Sequence, residues 1–193
     1  MSNNSKYSGL LVFVVGGSGV GKDSLLIGAQ RALESDDRFY FPRRLITRES
    51  VAELEDHDTI SYDEYTRMVV EGEAALNWQA HGLCYIIPKS IETELRSGKI
   101  VVCNVSRSVI SKAAAEYPVH IANITADLEL RAQRLASRGR EDAECIKARL
   151  ARSPIALPEN VPTTQIPNNR SLDDGITAFV DALSRLSQTQ ELA

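Results

Sequence analysis

Cysteine is scarce in this chain of 193 residues, and Cys84, Cys103 and Cys145 stand too far apart for a disulfide framework or a C-x-x-C motif. An odd set of scattered thiols implies reduced structural cysteines, as in a cytoplasmic protein. Long hydrophobic runs are missing too. The longest, residues 10–15, lies between Gly9 and Gly16 and falls far short of the ~20 residues that a membrane helix needs. The first eight residues are polar, with one lysine and no apolar stretch, so no secretory signal is expected. Neither sign of charge dominates: 22 Lys+Arg face 26 Asp+Glu, and the net charge of −4 gives no footing for nucleic-acid binding. Anion recognition must then come from local arginines. No cysteine–histidine cluster has zinc spacing, and no Ser-His-Asp set emerges.

What is present is ordinary globular composition, 43% hydrophobic and 25% charged, at a length suited to one domain. Strand and helix patterns alternate, which predicts an α/β fold around a largely parallel sheet. The continuous apolar run 9–15 reads as a strand buried on both faces. A helix is expected from 22 to about 34, a short strand within 39–48, and an acidic loop over 49–58. Ser61 and Glu64 form a capping box for a helix to about 71, ended by Gly72. Strands are expected at 74–78 and 83–87. Pro88 suits the first turn of a helix to 97. Further strands are expected at 100–104, 119–125 and 164–166, and helices at 106–116, 127–137 and 141–152. A final helix is capped by Ser171.

The most informative stretch is Gly16-Gly17-Ser18-Gly19-Val20-Gly21-Lys22-Asp23-Ser24, between the first strand and the first helix. Gly16 and Gly21-Lys22 fit G-x-x-x-x-G-K, the phosphate-binding loop. Glycines let successive N–H groups face phosphate oxygens, the helix start adds its positive end, and Lys22 reaches the β- and γ-phosphates of ATP. A dinucleotide fingerprint fails on spacing. After the lysine stands Asp23 rather than a hydroxyl residue; its carboxylate is a candidate ligand for Mg²⁺.

Two arginine groups remain. Arg43, Arg44 and Arg48 fall within a few residues, and in an extended segment the even spacing of Arg44 and Arg48 places them on one face. Guanidinium groups suit a ligand with several anionic oxygens. Arg131, Arg134 and Arg138 share a helical face, and Arg149 lies on the next helix. His81, His120 and Trp78 read more simply as structural residues.

From the loop onward the chain resembles guanylate kinases, and more closely the ribose 1,5-bisphosphate phosphokinases of bacterial phosphonate catabolism. The resemblance is carried by the loop, Arg43-Arg44-Leu45-Ile46-Thr47-Arg48, Glu55-Asp56-His57, Trp78-Gln79-Ala80-His81-Gly82, Tyr85, Pro88, Asn104-Val105-Ser106-Arg107 and residues 134–139. It implies that Lys22, Arg134, Arg138 and Arg149 act on the transferring phosphoryl group, the last three from a lid. It also implies that Arg48 and Tyr85 hold the acceptor phosphate. Val51 stands where guanylate kinases have a second arginine, His57 where they have a tyrosine, and Arg44 and Asn77 where they read guanine. Asn104 stands where they have an acidic residue near the metal, and Arg107 follows towards the same cleft.

The expectation is a P-loop NTPase fold of the nucleoside-monophosphate-kinase type: a parallel sheet with helices on both faces, an acceptor-binding subdomain at about 38–88 and a lid at about 137–152. The expected reaction is ATP- and Mg²⁺-dependent phosphorylation of ribose 1,5-bisphosphate to 5-phosphoribosyl 1-diphosphate. The nucleotide loop would comprise Gly16, Gly17, Ser18, Gly19, Val20, Gly21, Lys22, Asp23 and Ser24. The acceptor side would comprise Arg44, Arg48, His57, Tyr85 and Arg107. The partner is a small molecule, not nucleic acid or membrane. A GMP kinase and a non-catalytic binding module are the alternatives; oligomeric state is left open.

Overall fold

The structure, a computed structural model, describes residues 6–48, 57–137, 143–151 and 155–191. Five parallel strands form the large sheet, in spatial order β2 (Phe39–Tyr40), β7 (Ile100–Asn104), β1 (Leu10–Val15), β8 (Val119–Thr125) and β9 (Thr163–Pro167). β1 lies at its centre, and Leu11 to Val15 are buried on both faces. That explains its unbroken apolar sequence, since a parallel strand covered on both sides has no solvent face to alternate with.

Val12 and Val14 face a layer made by α1 (Lys22–Ala32) and α7 (Leu172–Glu191), through Leu25, Ala29, Phe179 and Leu183. Leu11, Phe13 and Val15 face α3 (Ile91–Arg96) and α4 (Ile110–Glu116), through Ile91, Leu95, Ile110 and Ala113. Part of that second face is covered by strands as well as helices: Leu76, Trp78 and Ile87 of a second sheet join the same core.

The second sheet has the order β4 (His57–Thr59), β3 (Arg44–Ile46), β6 (Leu83–Pro88) and β5 (Ala74–Ala80). β3 runs parallel to β4 and antiparallel to β6, which forms a hairpin with β5. Its outer face is closed by α2 (Tyr62–Val70), through Tyr65 packed with Ile60, Cys84 and Ile86. α2 begins at Ser61, whose hydroxyl accepts from Glu64 N at 3.1 Å, as the capping pattern predicts. α5 (Leu128–Ala136) and α6 (Ala143–Ala151) complete the element set. Among the described residues no helix is long and apolar enough to cross a membrane. Cys84 and Cys103 are buried free thiols, whereas Cys145 lies exposed on α6.

Several local expectations need correction. Residues 39–48 are not one strand: Pro42 falls between β2, on the edge of the large sheet, and β3 in the small one. Pro88 ends β6 opposite Ala74 instead of opening a helix. The next residue carries the pairing on, Lys89 N donating to Glu73 O at 2.8 Å, so the proline's missing N–H costs the ladder nothing there. His57 and Asp58, expected in a loop, form a strand with Thr59 because Arg44 to Ile46 offer them a parallel partner. Residues 49–56, including Val51, Glu55 and Asp56, lie outside the described residues. The helix expected at 106–116 starts as a 3₁₀ turn, Arg107–Val109, before α4.

Candidate active site

The C-terminal ends of β7, β1 and β8 lie side by side, Val14 beside Asn104 and Val15 beside Asn123. Beyond such ends an open parallel sheet has its binding crevice. The loop Gly16 to Gly21 leaves β1 at this edge and enters α1 at Lys22. Its carbonyl groups are claimed by side-chain donors. Lys22 Nζ donates to Gly16 O at 2.9 Å and Gly17 O at 3.3 Å, Arg131 Nε to Ser18 O at 2.9 Å, and Arg134 Nη1 to Val20 O at 3.3 Å. With the carbonyls so engaged, the N–H groups of the loop and of the first turn of α1 supply the polarity that an anion can use.

Asp23 and Ser24 are exposed in that first turn. Asn104, buried at the end of β7, donates from Nδ2 to Asp23 Oδ1 at 2.9 Å. A carboxylate, a neighbouring hydroxyl and nucleotide phosphate oxygens make an all-oxygen set that fits a hard cation such as Mg²⁺. Among the described residues no group of three or more His, Cys, Asp and Glu could hold a metal ion. The cation therefore fits here only together with the phosphates it neutralises.

The small sheet brings the first arginine group together around His57, whose residue is 2% exposed. Burial holds its imidazole below the ordinary pKa, and the positive charges of Arg48, Arg44 and Arg43 lower it further against the opposing Asp58. Arg43 donates to Asp58 Oδ1 at 2.9 Å and to His57 O at 3.1 Å. Arg48 lies beyond the end of β3, so strand alternation does not by itself put it on the face of Arg44. Leu45 packs on the α2 side, so strand alternation turns Arg44 to the opposite face, towards the large sheet. Burial pushes the Cys103 thiol on β7 up to about 12. Tyr85 stacks on Trp78 with ring centroids 5.1 Å apart and planes within 1°. Trp78 is buried in the main core, consistent with a packing role. Asn77, by contrast, pairs in register with Ile86 and accepts from the Tyr65 hydroxyl at 3.5 Å, on the α2 side.

Arg107 is half-buried beside the strand ends. It donates to Ile155 O at 2.9 Å and to Asn123 Oδ1 at 3.2 Å, and Asn123 in turn donates to Gln165 Oε1 at 2.7 Å. Both acceptors of Arg107 are neutral, and burial lowers its pKa. Arg134 also donates to Asn168 O at 3.0 Å, so its guanidinium braces the loop from behind. Arg149 lies half-buried on α6. Arg138 lies outside the described residues, as do parts of the expected lid.

His120 Nε2 meets Thr164 Oγ1 at 2.9 Å, and His81 occupies the β5–β6 turn with φ 54°. The larger of two described cavities, about 870 Å³, opens on the α2 side of the small sheet, lined by Thr47, Arg48, Glu64, Gln79 and Cys84; the phosphate loop does not line it. Two residues escaped the site reading of the sequence. Arg131 showed only as part of a helical face. Asn168, whose side chain donates to Val20 O at 2.8 Å, carried no spacing signal, being 148 residues away along the chain.

No protein-family model matches the chain. Among curated proteins, it is 48% identical over 145 residues to a ribose 1,5-bisphosphate phosphokinase PhnN of Brucella melitensis biotype 2, covering 75% of this chain and 76% of that protein. It is 39% identical over 179 residues to a protein of the same name from Rhizobium etli, covering 92% of this chain and 91% of the relative. A bifunctional ribose 1,5-bisphosphokinase-thymidine phosphorylase of Cupriavidus necator is 40% identical over 185 residues. That match takes in 95% of this chain, which spans only 30% of the bifunctional protein's length. Among solved structures, a guanylate kinase from Anaplasma phagocytophilum superposes with a TM-score of 0.61 at 14% identity, covering 94% of this chain and 87% of that one. A gluconokinase from Sinorhizobium meliloti 1021 gives 0.53 at 18% identity, covering 96% and 97%. At those identities the two structures speak for the fold alone, which is that of the P-loop kinases.

Proposed function

The chain belongs to the ribose 1,5-bisphosphate phosphokinase family, and on that premise we propose that it phosphorylates ribose 1,5-bisphosphate with ATP to give 5-phosphoribosyl 1-diphosphate. An oxygen of the acceptor's 1-phosphate forms a bond to the γ-phosphorus of ATP as the bond to the β,γ-bridging oxygen breaks, and ADP leaves with that electron pair. The observation that carries the reading is the loop ending at Lys22 on the large sheet, together with the arginines gathered around His57 on the small one.

Each residue then has a task that its surroundings favour. The N–H groups of Gly17 to Gly21 and the start of α1 bind the phosphate chain, and Lys22 swings from the Gly16 and Gly17 carbonyls to the β- and γ-oxygens. Mg²⁺, when bound, neutralises charge on the β- and γ-phosphates. Asp23 and Ser24 are the residues that would hold it. Arg44, Arg48, His57 and Tyr85 bind the acceptor, whose two phosphates match fixed guanidinium charge better than a neutral base would. Arg107, half-buried and donating to two neutral acceptors, offers the acceptor a further cation. Arg138 and Arg149 act from the lid over about 137–152, excluding water, while the small sheet serves as the acceptor subdomain within one kinase domain. The acceptor oxygen is already anionic at neutral pH, so no general base is needed; positioning and charge stabilisation carry the catalysis.

A GMP kinase is disfavoured because Asn77 is engaged with Tyr65 on the α2 side. The test is product analysis by phosphorus NMR with ATP and ribose 1,5-bisphosphate, and with GMP in parallel. A new pair of coupled diphosphate resonances from the sugar acceptor is expected. Phosphorylation of GMP alone overturns the reading.

A further inference from the structure

We infer that Asn168, in the connection between β9 and α7, is a positioning residue that sets the orientation of the phosphate loop; this rests on the reading of that loop as the ATP site. Asn168 is 2% exposed and fastened at three points. Its backbone N donates to Thr125 O at 2.8 Å, at the end of β8. Its side-chain Nδ2 donates to Val20 O at 2.8 Å. Its own carbonyl accepts at 3.0 Å from Arg134 Nη1, which also reaches Val20 O at 3.3 Å. The Val20 carbonyl is thereby held by two donors mounted on different parts of the large-sheet layer.

A trans peptide points its C=O and N–H in opposite directions. Fixing the Val20 carbonyl on Asn168 therefore fixes the Gly21 N–H on the far side, where it is free to meet an anion. Without that restraint the peptide plane could rotate and present its carbonyl oxygen to the phosphates, a repulsive contact. The side chain is boxed in to do this. A Cβ on Gly21, which has φ +92°, would stand 2.6 Å from Asn168 Nδ2, and one on Gly175 of α7 would stand 2.5 Å from Oδ1. Oδ1 itself is buried without a hydrogen-bond partner among the described residues. A buried amide that leaves its acceptor unmatched while its donor is engaged is placed for the donor's sake, and such departures from full pairing concentrate at functional sites.

Asn168→Asp preserves the shape and removes the donor. The experiment measures ATP dissociation constants by fluorescent-nucleotide displacement, alongside steady-state kinetics and thermal melting, for wild type, Asn168→Asp and Lys22→Ala. The expected result for Asn168→Asp is ATP binding weakened about tenfold or more, with KM for the acceptor unchanged and kcat at saturating ATP within a few-fold of wild type. Lowered melting temperature with wild-type ATP affinity would make Asn168 a packing residue only and overturn the proposal. Asn168→Ala, which needs no buried charge, carries the same comparison if the aspartate variant does not fold. If wild type itself fails to bind ATP, the ATP-site reading falls and this proposal with it. If wild type binds ATP and Lys22→Ala does not, an unaffected Asn168 variant removes the positioning role alone.

Discussion

Asn104 Nδ2 donates to Asp23 Oδ1 at 2.9 Å, joining the end of β7 to the first turn of α1 across 81 residues of chain. An acidic side chain at position 104 would repel Asp23 at this distance; an amide holds it instead. The bond occupies one carboxylate oxygen and leaves the other for a cation. Asp23→Ala is thus expected to raise the Mg²⁺ concentration for half-maximal rate by tenfold or more, and Asn104→Ala by about tenfold through loss of orientation. Asp23→Ser recovers part of the loss. Binding of Mn²⁺ together with ATP, followed by electron paramagnetic resonance, checks the effect independently of turnover. Equal metal affinity in all the variants would leave Asp23 as a charge that suits a helix start.

The same pair marks the boundary of what the sequence discloses. β1, the glycine loop, the Ser61 cap and β8 are legible because each depends on residues near one another in the chain. The Asn104–Asp23 and Asn168–Val20 contacts are not, because a side-chain amide acquires its partner only when the sheet brings distant strand ends together. β4 was hidden for a similar reason. His57-Asp58-Thr59 has little strand character of its own and extends because β3 lies alongside.

Lys22 and Arg149 are both expected to act on the transferring phosphoryl group. Lys22→Ala is expected to lower kcat on the order of 10²-fold or more with the fold intact, as when one preorganised charge donor is removed. Arg149→Ala is expected to lower kcat more than it raises KM for the acceptor, the sign of contact with the transferring group. Steady-state kinetics with each substrate varied in turn decides both. A KM effect confined to the acceptor would move Arg149 to the other side of the cleft.

Acid stability follows from two buried groups, His57 and Glu92, and the half-buried His120. His57 and His120 have pKa values held below the ordinary ~6.5, chiefly by burial, with the three arginines adding to the effect at His57. The unfolded chain therefore binds protons that the folded one refuses, and stability falls as pH drops below about 6.5 towards the folded values. Glu92 acts at lower pH. Burial raises its pKa, but the Tyr117 hydroxyl at 3.0 Å, Lys6, Lys89 and Tyr7 outweigh that and hold it below the ordinary value. Its share of stability is present above about 4.3 and is lost as pH falls through the folded pKa. Urea titrations at pH 7.5, 6 and 5 should show a steady decline that His120→Asn makes shallower. Tyr117→Phe should destabilise by about 1 kcal/mol at pH 7 and by less near pH 3.

Substrate choice is expected to turn on Arg44. It stands next to His57 in the β3–β4 ladder, and alternation with Leu45, which packs on the α2 side, turns this permanent cation to the face towards the large sheet. A nucleobase offers that cation no counter-charge, whereas a second phosphate on a small sugar does. Asn77 is turned to Tyr65 and cannot read a base from there without breaking that contact. Discrimination through unpaired polar groups reaches ~10⁴-fold in favourable cases. The expectation here is that kcat/KM for ribose 1,5-bisphosphate exceeds that for GMP by at least about 10²-fold. Arg44→Ser should narrow the ratio by lowering the bisphosphate value, because it removes charge without restoring a guanine-reading partner at Asn77. Comparable values for the two acceptors in wild type would sink the assignment of substrate. A rise in bisphosphate turnover on Arg44→Ser would take Arg44 out of the site and leave Arg48 and Arg107 as the cations that hold the acceptor.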